Sequence, residues 1–75
     1  MNARVVGKLI SERRKRVGLD QRSLAEIAGV SIHALSDVET GKGNPTLKVL
    51  TALGDSLGME LSLQVRTAPP PEEGR

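Results

Sequence analysis

The sequence predicts an all-α domain of four to five helices closed by one C-terminal β-strand, and three observations carry that prediction. Apolar residues recur at helical spacing between residues 3 and 57, and glycines and capping side chains cut that stretch into short helices. From residue 59 the apolar period falls from 3.6 to 2. At 75 residues the chain is one small domain. A domain near this size buries only ~60 % of the surface its unfolded chain exposes, so a partner subunit or another staple is expected.

Residues 3 to 17 read as the first helix, with Val5, Val6, Leu9, Ile10 and Val17 near helical spacing and Gly18 placed to end it. Asp20 is a plausible N-cap for the second, whose apolar face is Leu24, Ala25, Ile27 and Ala28 and whose stop is Gly29. Only Val30 separates that stop from Ser31, the expected N-cap of a third helix that runs to Glu39 or Thr40 and closes at Gly41. "GKGNP" is a loop by composition. Thr46 then caps a fourth helix with Leu47, Val49, Leu50, Leu53 and Leu57 as its buried face and Gly58 as its end. Gly54 inside it should cost ~1 kcal/mol relative to alanine unless a neighbouring backbone approaches closely.

Met59, Leu61, Leu63 and Val65 alternate with Glu60, Ser62 and Gln64, the pattern of an amphipathic strand over 59–65. A lone strand cannot satisfy its backbone groups, and there is no second strand candidate, so pairing with the same strand of another copy is expected. The strand therefore predicts a homodimer. Residues 1–66 form the domain on this reading, and 67–75, "TAPPPEEGR" from Thr67, a disordered tail.

Composition removes several chemistries. With no cysteine, disulfides and thiolate sites are excluded, and a single histidine leaves no metal site to expect. The absence of Phe, Trp and Tyr removes stacking platforms for single strands or RNA. No apolar run is long enough to cross a bilayer and no signal-peptide pattern opens the chain, so a soluble, cytoplasmic protein without cofactor or membrane partner is expected. The net charge is +2, but residues 1 to 16 hold six basic side chains against Glu12 alone. Basic charge is concentrated on the first helix.

"SIHALSD", residues 31 to 37, brings together the residue types of a hydrolytic triad. On a helix His33, Ser36 and Asp37 share one face. Proximity alone does not make a catalyst, which also needs an oriented base, an oxyanion site and a cleft that excludes water. A convex helix on a small domain supplies none of these, so no catalytic residue is assigned and no enzyme is expected. The same surface suits a groove reader. With Leu35 and Val38 toward the core, Ile32, His33, Ser36, Asp37 and Thr40 form an outward stripe of short side chains at the start of a helix. His33 and Ser36 can each donate to or accept from a base edge, Ile32 can meet a thymine methyl, and Asp37 can accept from a cytosine amino group.

The longer pattern "QRSLAEIAGVSIHALSDVETG" resembles the helix-turn-helix of the Xre/Cro family of bacterial and phage repressors. Gln21, Leu24, Ala25, Gly29, Val30, Ser31, Leu35, Ser36, Glu39 and Gly41 stand where that family places such residues. The resemblance implies a lambda-repressor-like fold, with Arg14 and Glu39 as a structural pair bridging the first and third helices. It implies base reading by Ser31, Ile32, His33, Ser36 and Asp37. Gln21, Arg22, Thr40, Lys42 and Asn44 would lie along DNA phosphates, while Arg13, Lys15 and Arg16 are left to solvent or phosphate. "ALGDSLGMELSLQVR" further resembles the C-terminal end of HipB-like antitoxins. There such strands pair across a dimer, and the family represses its own operon and binds a HipA-like kinase toxin. The implied protein is a homodimeric repressor on a palindromic double-stranded operator, with the stand-alone regulator and the toxin-binding module as alternatives. Ile32 where a polar reader is common, Ser23 where a capping glutamate is common, and the proline-rich tail are departures from the pattern.

Overall fold

The computed structural model describes residues 2–65; Met1, Arg66 and the expected tail lie outside the described residues. Its elements are four helices: α1 (Ala3–Arg16), α2 (Gln21–Ala28), α3 (Ile32–Thr40) and α4 (Leu47–Ser56). Each N-terminus is closed by a side-chain oxygen on an otherwise unpaired backbone N–H. Asp20 accepts from Ser23 N, Ser31 from Ala34 N and Thr46 from Val49 N, as their sequence positions predict. Asn2 does the same for α1, accepting from Val5 N at 2.9 Å. Gly29 and Gly41 both take the left-handed conformation that ends α2 and α3, with φ of 73° and 75°.

The core is Ile10 of α1, Leu24 and Ala25 of α2, Leu35 and Val38 of α3, and Leu53 and Leu57 at the end of α4. Leu24, Leu35 and Leu53 are fully buried, and burial of each such side chain stabilises the fold by about 1.5–3 kcal/mol. α1 packs across α3, while α2 packs against both α3 and α4. The α1–α3 crossing is close because of Gly7, where an added Cβ would lie 2.1 Å from Val38 O. Nothing larger than glycine fits there without moving a helix.

Five residues read as apolar-face positions, Val5, Leu9, Val17, Ile27 and Leu47, are exposed. Val5 and Leu9 are half exposed and Leu47 is exposed, because α1 and α4 present only part of their apolar faces to a core this small. Ile27 on α2 is exposed for the same reason. Gly54 is explained by a close approach: a Cβ there would lie 3.2 Å from Met59 O, and Met59 N donates to Gly54 O at 2.7 Å as the chain turns back over α4.

Beyond that bond, residues 59–65 form no strand in the single chain, and no β-strand occurs among the described residues. Leu61 lies beside Val5 and Leu9 in a groove of ≈ 270 Å³, whereas Leu63 and Val65 are 88 % and 92 % exposed. The strand expected over 59–65 is therefore not formed: among the described residues there is no sheet edge for this segment to pair with.

Candidate nucleic-acid interface

α3 is held in place from behind. Ala25, nearly fully buried, lets α2 approach closely, and the turn at Gly29 is fixed by Val30 N donating to Ala25 O at 3.0 Å. Leu35 and Val38 then lock α3 onto the core. With that face buried, Ser31, Ile32, His33 and Thr40 are exposed and Ser36 and Asp37 are half buried along the outward side. The stripe expected from helical spacing is thus one continuous surface.

Within it, some polar capacity is already used. Ser31 Oγ accepts from Ala34 N at 3.0 Å, which leaves its hydroxyl proton for another partner. Thr40 Oγ1 donates to Ser36 O at 2.9 Å, so a phosphate contact from this hydroxyl would require it to leave its own helix. His33 Nε2 lies 3.4 Å from Asp37 Oδ2, with the His33 side chain 88 % exposed on a convex surface. Ser36 makes no side-chain hydrogen bond to His33 among the described residues, so the triad-like composition is not assembled as a relay. No cluster of potential metal ligands occurs among the described residues.

Behind the stripe lies a buried ionic network. Arg14 donates from Nε to Glu39 Oε2 at 2.6 Å and from a terminal nitrogen to Glu39 Oε1 at 3.0 Å, a two-pronged pairing of planar groups. Its other terminal nitrogen donates to Leu19 O at 2.8 Å. The Arg14 and Glu39 side chains are only 10 % and 6 % exposed. Burial would push the Glu39 carboxyl up, but the hydrogen bonds from Arg14 and Gln21, with the Arg14 charge, hold it below the ordinary carboxylate range. The hydrogen bond to Glu39 raises Arg14 in turn. Asp20 is also held low, first by the backbone N–H of Ser23 that it caps.

Gln21 belongs to this network, its Nε2 donating to Glu39 Oε1 at 3.0 Å. One amide hydrogen and the amide oxygen remain for a phosphate or base at the start of α2. Arg22, Lys42 and Asn44 are exposed. Lys42 N donates to Asp37 O at 2.8 Å, which fixes the loop after α3.

A helix-turn-helix family model matches residues 10–64. The chain belongs to the helix-turn-helix family of Xre/Cro type. Among its relatives, the HTH-type transcriptional regulator PuuR of Escherichia coli (strain K12) is 39 % identical over 56 residues, 75 % of this chain and 30 % of that protein. The immunity repressor protein of Bacillus phage phi105 is 40 % identical over 57 residues, 76 % of this chain and 40 % of that one. The ImmF control region 10 kDa protein of the same phage is 31 % identical over 63 residues, 84 % of this chain and 70 % of that one. The chain therefore spans less than half the length of the first two.

In helix-turn-helix terms, α2, the Gly29 turn and α3 are the motif, and α3 is the helix whose outward side is free. Two contributors are absent from the sequence reading. Arg13, left there to solvent or phosphate, donates from Nε to Leu57 O at 2.9 Å and so closes the end of α4. Gly7 sets how near α1 comes to α3. A glycine inside a helical pattern, like the one read at Gly54, is the signal that marks such a crossing.

Proposed function

We propose that the chain is a sequence-specific repressor that binds double-stranded DNA as a homodimer, with α3 in the major groove. The observation that carries this is α3 itself, locked by Leu35 and Val38, with Ile32 and His33 exposed at its start and Ser36 and Asp37 half-buried along the same outward side. The major groove admits a helix in that orientation, and its base edges carry enough donor and acceptor information to distinguish all four pairs. Ser31, Ile32, His33, Ser36 and Asp37 read bases. Gln21, Arg22, Lys42 and Asn44 position the backbone, with Thr40 joining them once its hydroxyl turns outward. Phosphate contacts supply most of the affinity, which falls steeply with salt.

Homodimerisation places two α3 helices in successive major grooves of a palindromic operator, ~34 Å apart. Residues 59–65 supply the contact by strand pairing, a role supported by their unbroken alternation and by the exposure of Leu63 and Val65. The test is binding of the chain, His33→Ala and Ser36→Ala to a selected operator and to scrambled DNA. Each lost base contact should reduce discrimination by ~1–3 kcal/mol with the fold intact. Equal discrimination by all three proteins would contradict the assignment.

The HipB-like C-terminal segment extends the proposal to an antitoxin that represses its own operon and holds a HipA-like kinase toxin. The relatives' names, a transcriptional regulator and a phage immunity repressor, favour a stand-alone regulator instead. Co-purification with the product of a flanking kinase-like reading frame decides between them.

A further inference from the structure

We propose that Arg4, at the start of α1, binds a DNA backbone phosphate side by side with Lys42. The inference rests on the DNA-binding reading above and adds a contact from a helix outside the helix-turn-helix motif. It starts from Gly41, the residue that ends α3. Gly41 needs glycine for its φ of 75°, and its α-carbon is also packed against α1. A Cβ there would lie 3.1 Å from Arg4 Cα, 3.3 Å from Arg4 N and 3.4 Å from Arg4 Cγ. The Arg4 stem therefore runs over the residue that precedes Lys42. The start of α1 and the loop after α3 are one surface, and a shallow cleft lined by Asn2, Ala3, Gly41, Lys42 and Asn44 joins them.

Basic charge predominates on that surface, although Asp37 lines the neighbouring cleft with Lys42. Residues 2–11 and 40–54 contain Arg4, Lys8, Lys42 and Lys48 and no carboxylate. Glu39, next along α3, is turned inward and taken by Arg14, and Asp37 lies beside His33. Arg4 and Lys42 are both exposed on this joined surface, and neither forms an ion pair among the described residues, so an anion that reaches both is attracted by each. Because Lys42 leads directly out of α3, the anion that reaches both when α3 enters the groove is a phosphate of the flanking strand. An arginine fork suits phosphate oxygens with two parallel N–H donors.

The test is DNA binding by the full chain, Arg4→Gln, Arg4→Lys and Arg16→Gln as a function of salt, on operator and scrambled duplexes. Arg16 is a suitable comparison because it is exposed at the other end of α1, about 18 Å away at 1.5 Å per residue. Arg4→Gln should flatten the slope of log K against log salt by about 0.9 per protomer, equally on both duplexes. Its loss of affinity between about 50 and 200 mM salt is then three- to fourfold smaller per protomer. Arg4→Lys should restore the slope, and Arg16→Gln should leave it unchanged. If the wild type binds with a steep salt dependence and Arg4→Gln has the same slope, this inference is overturned and the DNA reading stands. If the wild type binds no duplex at any salt, the reading itself fails and the inference with it.

Discussion

Glu39→Ala removes the carboxylate that Arg14 and Gln21 share and leaves a guanidinium in a site only 10 % exposed. Breaking a buried pair from one side costs about 3–5 kcal/mol, since the remaining charge keeps its desolvation penalty without a counterion. Arg14 retains its bond to Leu19 O, which puts the expected loss near the low end, ~3 kcal/mol. A chain of 75 residues has a total stability of about 4–11 kcal/mol at typical values per residue, so this is a large share of it. The melting temperature should fall by roughly 12–24 °C, at about 4–8 °C per kcal/mol for a domain of this size. Far-UV circular dichroism during thermal and urea unfolding measures both quantities. The double substitution Arg14→Met with Glu39→Leu removes both charges at similar volume and should recover most of the loss. A loss below ~1 kcal/mol for Glu39→Ala, or a double variant as unstable as the two single changes added, would refute the argument.

Other consequences follow from the same structure. Gly7→Ala drives a methyl into Val38 O and should cost at least the ~1–3 kcal/mol typical of overpacking, whereas Gly54→Ala, with a looser 3.2 Å contact and better helix propensity, should stay within ~1 kcal/mol of wild type by urea titration. Leu63→Lys leaves the monomer core untouched and should shift sedimentation toward monomer while weakening operator binding in parallel; an unchanged dimer would remove residues 59–65 from the interface. Glu39 has a lowered pKa in the folded state, so its stabilising contribution is complete above the unfolded value of ~4.3 and is lost as pH falls through the folded one. Asp20 acts in the same direction. Unfolding free energy should therefore be flat near neutrality and decline below about pH 4, less steeply in Glu39→Gln.

Local chemistry made most of the fold legible. Asp20, Ser31 and Thr46 cap the helices they were expected to cap, and Gly29 and Gly41 end theirs, because a cap is decided by a few adjacent residues. The turn between α2 and α3 and the core positions Leu24, Leu35 and Val38 follow from the same short-range logic. What depended on distant chain was less visible. Leu47, Val5 and Leu9 fit their helical faces, but periodicity says which side is apolar and not how much of it a neighbour covers. Arg13 looked like surface charge until the end of α4 arrived beside it, and Gly7 is intelligible only from the carbonyls of α3.

The candidate interface divides similarly. That Ile32, His33, Ser36 and Asp37 share an exposed side follows from helical spacing once Leu35 and Val38 are in the core. That Gln21 and Thr40 already spend a donor inside the protein does not, since Gln21 and Glu39 are far apart in sequence and Thr40 chooses its own helix carbonyl. Residues 59–65 lie at the boundary between these cases: their period is plain, but strand geometry needs a hydrogen-bonding partner that the described residues do not supply.

The central claim is that α3 reads base sequence in a two-fold arrangement, and selection from a pool of random duplexes tests it most directly. The account predicts enrichment of an inverted repeat with half-site centres about 10 bp apart, and loss of that enrichment in His33→Ala combined with Ser36→Ala. Recovery of duplexes without a shared sequence, or an unchanged repeat from the doubly substituted protein, would contradict it.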